Sequence, residues 1–180
     1  MALLRVSLFV LSLQAVHGAL KANFTNNTRG LADADAAPAH AGCFVKKGNA
    51  MLAVKLTYDG NKFDIPGGCT NGREPAKRTA ERETWEESGY PVEVNELLAT
   101  VRGGFRIYRC SVKQQDPGKG PDHEVSSVQW INPWEVDNFM QQHMWRYQDE
   151  QAYLYAQWLR EGAENHEQNH DGGHRRLIMV

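Results

Sequence analysis

The chain has 180 residues and a formal net charge of -2, from 20 basic and 22 acidic side chains. Its 41% hydrophobic and 23% charged content is ordinary for a globular protein and excludes wholesale disorder. With no basic excess, general affinity for a nucleic-acid polymer is not expected, whereas a small phosphorylated partner stays open because a metal ion can supply positive charge locally.

The N-terminus reads as a targeting segment. Met1 to Arg5 carry one positive charge, Val6 to Val16 are apolar apart from serines and Gln14, and Val16-His17-Gly18 offers small residues at cleavage spacing. This predicts a signal peptide over residues 1–18, cut after Gly18, and hence a secreted or periplasmic protein without membrane attachment after cleavage. An uncleaved N-terminal anchor is the alternative; the apolar run is too short for a membrane helix, which needs about 20 residues. Residues 19–40 are polar and rich in Ala, Asn and Asp, a leader or linker, with sequons at Asn23-Phe24-Thr25 and Asn26-Asn27-Thr28. Export permits a disulfide among Cys43, Cys69 and Cys110. Cys43 with Cys69 is the preferred pair, three buried free thiols the near alternative, and the spacings match no zinc pattern.

The folded part is expected from Ala41. Cys43–Val45 and Met51–Leu56 read as strands around the turn Lys47-Gly48-Asn49, and Tyr58-Asp59-Gly60-Asn61 is a second turn before a short strand Lys62–Ile65. Pro66-Gly67-Gly68 opens a loop to Glu74. Pro75 suits a helix start, Ala76 to Ser88 holds no breaker, and Gly89 is a stop. Val92–Val101 and Phe105–Val112 read as strands, then a Pro/Gly loop over 116–122, a strand Val125–Ile131 and a short helix from Asn132-Pro133. The last helix spans Tyr147–Leu159, with Ala152, Tyr155, Ala156 and Leu159 on one apolar face. Residues 161–180 are a polar tail expected to be disordered; Gly172-Gly173 argues against a metal-binding stripe of His166, His170 and His174. The whole is a mixed α/β domain over residues 41–160.

Chemistry concentrates between Gly68 and Tyr90. Glu83, Glu86 and Glu87 lie at i, i+3 and i+4 and share one helix face. Three like charges so close need neutralising, and a hard divalent cation does this with carboxylate oxygens; a solvated acidic face fits the spacing as well. A glycine loop directly before the helix lets backbone approach a metal–diphosphate, although a glycine pair also suits an ordinary turn.

These residues resemble the box of the Nudix hydrolase family. That box has Gly, five residues, Glu, seven residues, Arg-Glu, an apolar residue, one residue, Glu-Glu, one residue, Gly and an apolar residue. Here it reads Gly68, Glu74, Arg82-Glu83, Thr84, Glu86-Glu87, Gly89 and Tyr90, approached by Ile65-Pro66-Gly67. Thr84 is the one departure, standing where the family prefers Leu, Ile or Val, at a position that packs the helix and holds no ligand.

The resemblance implies an α/β/α sandwich with a mixed β-sheet and a Mg²⁺-dependent hydrolase, with Mn²⁺ as substitute. It would cut a diphosphate linkage in a nucleoside diphosphate joined to another moiety, or in a related diphosphate, outside the cytoplasm. A Nudix-fold binding module without turnover is the alternative. Glu83, Glu86 and Glu87 would be the metal ligands, joined by the Gly68 carbonyl, and Glu74 with Arg82 would fix the loop against the helix, off the metal face. Glu83, Glu86 or Glu124 would be the general base; Glu124 also fits a second metal, and equally a solvent-facing strand start. Tyr108, with Phe63, Trp130 and Trp145, is a candidate to stack on a base, though an ordinary strand tyrosine fits too. Family members often form homodimers, and no segment here locates an interface.

Overall fold

The computed structural model describes residues 36–161. The expected signal peptide, the sequons, most of the expected leader and nearly all of the tail expected to be disordered, with His166, His170 and His174, lie outside the described residues. From Ala37 onward the described chain belongs to one packed unit.

Strands β1 (Ala41–Lys47), β2 (Ala50–Leu56), β3 (Phe63–Asp64), β4 (Gly67–Gly68), β5 (Val92–Thr100), β6 (Arg106–Val112) and β7 (Val125–Ile131) form a mixed sheet. Its order is β3-β2-β1-β6-β5, with β4 paired to β1 and β7 to β2. β1 runs parallel to β6 and antiparallel to β2. Helix α1 (Ala76–Ser88) covers one face; helices α2 (Pro133–Gln141) and α3 (Tyr153–Arg160) cover the other.

Alternation along β1 explains the three layers. Cys43 and Val45 pack with Ala76, Ala80, Tyr108 and Cys110 under α1. Phe44, between them, packs with Ile107, Val136, Tyr155 and Trp158 under α2 and α3. A strand covered on both faces has no room for polar side chains, which is why this stretch reads as a continuous apolar run. α2 is started by a capping box: Asn132 Oδ1 accepts the Glu135 amide at 3.3 Å and Glu135 Oε2 accepts the Asn132 amide at 2.8 Å. After α2 the chain runs beside β3, with the Phe63 amide donating to Met144 and the Arg146 amide to Phe63.

Three expectations need correction. Gly67-Gly68 does not open a loop; it forms β4 against Ala41 and Gly42. A Cβ on Gly67 would lie 2.5 Å from the Gly42 Cα, so the two glycines let bare backbones close together. The last helix does not start at Tyr147. A π turn over Gln148–Ala152 comes first, its amides 150–152 sharing the Tyr147 carbonyl; Ala152 of that turn and Tyr155, Ala156 and Leu159 of α3 are buried as expected. The disulfide joins Cys43 to Cys110, not Cys69 (Cα–Cα 5.5 Å), and Cys69 is free and exposed. Parallel pairing of β1 with β6, which sets Val45 against Cys110, brings the two cysteines onto one buried face.

Candidate active site

α1 buries Ala76, Thr79, Ala80 and Thr84 against the sheet, and this sets which way its acids point. Thr84 pays no unsatisfied hydroxyl for its place in the core: its Oγ1 donates to the Ala80 carbonyl at 2.7 Å. The helix ends at Gly89, whose φ of 72° makes the left-handed cap with its amide on the Trp85 carbonyl.

The three glutamates occupy a gradient of burial. Glu87 is only 3% exposed, and its Oε2 accepts the Gly67 amide at 2.8 Å. Burial pushes its carboxyl up to about 8; the Gly67 amide works against this, and the charges of Glu83, Asp64 and Asp122 add to it. Glu83 is raised too, first by burial, with Arg82 opposing and the charges of Glu86 and Glu124 adding. Glu86 is the open member, its side chain 40% exposed. A Cβ on Gly68 would lie 2.7 Å from the Glu83 carboxylate, so only glycine lets the β4 backbone rest against it.

Arg82 fixes this arrangement. Its Nη2 donates to Glu74 at 2.9 Å and to the Cys69 carbonyl at 2.8 Å, as the expected loop-to-helix pair. It also reaches beyond that expectation: Nη1 lies 2.9 Å from Glu83 and 2.8 Å from Glu86. Glu74 therefore sits below its usual carboxylate range, first through the Arg82 hydrogen bond, and Arg82 above its own for the same reason.

Glu124 is carried to the same region by a pinned loop. The Asp122 amide donates to the Glu86 carbonyl at 3.1 Å, the Glu124 amide to Asp122 Oδ1 at 3.0 Å, and the Thr57 amide to the Glu124 carbonyl at 2.8 Å. Glu124 is thus both an exposed residue before β7 and a charge acting on Glu83. Among the described residues no three acidic, His or Cys side chains converge into a preformed metal cluster. The donor set still fits a hard divalent cation: all oxygen, clustered at one end of α1, with a glycine backbone laid against Glu83.

Tyr108 does not fit its candidate role. It is fully buried under α1, so no face is open to a base, and Phe63 and Trp145 are buried likewise. Trp130 is partly buried and spends its indole N–H on the Tyr90 hydroxyl at 3.2 Å. Among the described residues the exposed large rings are at Tyr58, Trp134, Tyr147 and Tyr153. Two acids near the site belong to no sequence motif. Asp64 is buried and pushed up to about 7 by that burial, its Oδ1 accepting the Ile65 amide at 2.8 Å; Asp122 holds the Glu124 loop. Arg146 pairs with Asp59 at 3.0 Å. Only the proximity of Asp64 to Ile65-Pro66-Gly67 could have signalled any of these.

A family model of the NUDIX domain matches residues 37–169. A MutT-like protein of Streptomyces ambofaciens is 30% identical over 142 residues, covering 74% of this chain and 83% of its own. A NUDIX hydrolase from Nitrosomonas europaea superposes with a TM-score of 0.57 at 16% identity, covering 69% of this chain and 88% of that one. An ADP-ribose pyrophosphatase from Streptococcus suis does so with 0.55 at 17% identity, covering 68% and 90%. Together with the box that runs from Gly68 through α1 to Tyr90, the domain match and the relative place this chain in the Nudix family of diphosphate hydrolases.

Proposed function

We propose that this protein hydrolyses a diphosphate linkage in a nucleoside diphosphate joined to another moiety, or in a related diphosphate, outside the cytoplasm. Mg²⁺, for which Mn²⁺ substitutes, would be held by Glu83, Glu86, Glu87 and the Gly68 carbonyl. The observation that carries this reading is the set of three glutamates at one end of α1, closed on one side by β4. The cation would offset charge on the phosphate oxygens and make bound water acidic.

The chain's own residues do the rest. Glu74 and Arg82 hold the loop so that β4 stays against Glu83. The Gly67 amide fixes the Glu87 carboxylate in one orientation. A base must take the proton of the attacking water. Glu124 suits that role because its carboxylate is exposed, whereas Glu83 and Glu86 share Arg82. Export is supported by the N-terminal segment and by the Cys43–Cys110 bridge, since disulfides persist in oxidising compartments.

The test is a panel of diphosphates incubated with the exported protein and Mg²⁺: ADP-ribose, nucleotide sugars, nucleoside triphosphates, dinucleoside polyphosphates and non-nucleotide diphosphates. Cleavage of one compound, abolished by Glu86→Gln in a protein that melts like wild type, is the expected result. Binding without cleavage of any compound would make the protein a binding module instead.

A further inference from the structure

Trp85 is a large ring without a place in the core. Among the described residues it joins no hydrophobic cluster, and it stands on α1 between Thr84, which packs on the sheet, and Glu86, the open member of the acidic set. What covers it is the exposed loop that leads to Glu124. The Gly118 backbone is laid so close to the ring that a Cβ there would stand 2.6 Å from Cη2 and 3.0 Å from Cζ3. The Lys119 ammonium lies over the same ring, 5.6 Å from its centroid. Beside the ring a second glycine completes the seat. A Cβ on Gly89 would lie 2.0 Å from the Lys119 carbonyl, and the Gly118 amide donates to the Gly89 carbonyl at 2.8 Å.

This seat lies just upstream of the contacts that fix Glu124, the Asp122 amide on the Glu86 carbonyl and Asp122 Oδ1 on the Glu124 amide. Residues 113–121 are exposed throughout, so this part of the loop draws no hold from the core. Hydrogen bonds open to water contribute little net, and segments with few buried contacts are the first to open. An indole face closed by glycine backbone is a contact that water does not compete for. The bare backbone at Gly118 also sets the distance: a side chain there would lift the loop from the ring and carry Asp122 and Glu124 with it.

We infer that Trp85 is a positioning residue: it seats the 116–122 loop on α1 through Gly118 and Lys119, and so holds Glu124 where it can take the proton of the attacking water. This rests on the hydrolase reading above, with Glu124 as its base.

The test measures kcat, KM and Mg²⁺ dependence on a diphosphate compound that the wild type cuts. Trp85→Ala is expected to lower kcat by about 10- to 100-fold, the scale of an ångström-sized misplacement, with KM and the Mg²⁺ requirement close to wild type. Gly118→Ala should do the same, since its φ is outside the left-handed region and its methyl strikes the ring. In a Glu124→Gln background, Trp85→Ala should lower kcat by less than about 2-fold more, because groups that act as a unit are not additive. Trypsin should cut after Lys119 faster in Trp85→Ala than in wild type at an unchanged melting temperature. Equal losses in both backgrounds overturn the inference, because the effect then runs through the α1 glutamates. Wild-type kcat in Glu124→Gln overturns it too. Where Trp85→Ala melts early, Gly118→Ala decides. If Glu86→Gln abolishes cleavage while Trp85→Ala leaves kcat unchanged, the positioning role falls and the hydrolase stands. If the wild type cuts nothing, both fall, and faster cutting after Lys119 leaves Trp85 an anchor of the loop alone.

Discussion

One methyl group at position 68 should be enough to disturb the site. The added carbon would sit 2.7 Å from the Glu83 carboxylate, and α1 cannot retreat because Ala80 and Thr84 are packed without exposure. The φ of Gly68 is not in the left-handed region, so the backbone itself accepts alanine. Gly68→Ala is therefore expected to keep the wild-type melting temperature and lower kcat/KM by about 10- to 100-fold, the scale of an ångström-sized misplacement. Wild-type kinetics in that variant would show that the Gly68–Glu83 approach does not matter. Arg82→Lys makes a complementary case. Lysine keeps the charge but not the fork that spans Glu74, the Cys69 carbonyl, Glu83 and Glu86, so activity should fall by about 10- to 100-fold, as when a supporting residue of a metal site is lost. Kinetics and metal titration of the variant check this; full activity would reduce Arg82 to a replaceable charge. The Glu74–Arg82 pair was expected because the resemblance to the Nudix box, which matches both positions, implies it. The reach of Arg82 to Glu83 and Glu86 was not, because helix angle places the Cα and leaves a long side chain free to cross a quarter-turn.

The strands other than β4, and α1, were legible because each is an apolar or breaker-free run bounded by glycine, proline or a polar turn, whereas β4 is a bare glycine pair. What joins distant elements was not. Nothing in the order of Cys43, Cys69 and Cys110 reveals that β1 lies parallel to β6, and that pairing alone selects Cys110 as the partner. The bridge links strands 67 residues apart in sequence, beneath the helix that carries the site, with the Cys43 sulfur 3.7 Å from the Ala80 carbonyl. Closing a loop of that size restricts the unfolded chain by about 4 kcal/mol on the chain-entropy account. Reducing agent, or Cys43→Ser with Cys110→Ser, should lower the stability measured by urea unfolding by about that amount. Thiol titration of the unreduced protein in denaturant should count Cys69 alone. Three reactive thiols would mean the bridge does not form.

At the scale of the whole molecule, two buried carboxylates govern how the fold responds to pH. Burial raises Asp64 to about 7 and Glu87 to about 8, against ordinary values of 3.8 and 4.5. Between those limits the folded chain holds protons that the unfolded chain has released. Stability must then fall as pH rises through the window, because deprotonation leaves charge in a site that water cannot reach. A divalent cation on Glu87 favours the charged form, so binding should release protons and recover the lost stability. In EDTA the melting temperature is expected to drop from pH 5 to pH 8. Saturating Mg²⁺ should raise it more at pH 8 than at pH 5, and Glu87→Gln should flatten the profile and remove most of the Mg²⁺ effect. Calorimetric melts across this range check all three. A melting temperature that climbs with pH in EDTA would show that these acids are ionised in the folded chain, and that the site at the end of α1 is wetter and less dependent on a metal than its packing implies.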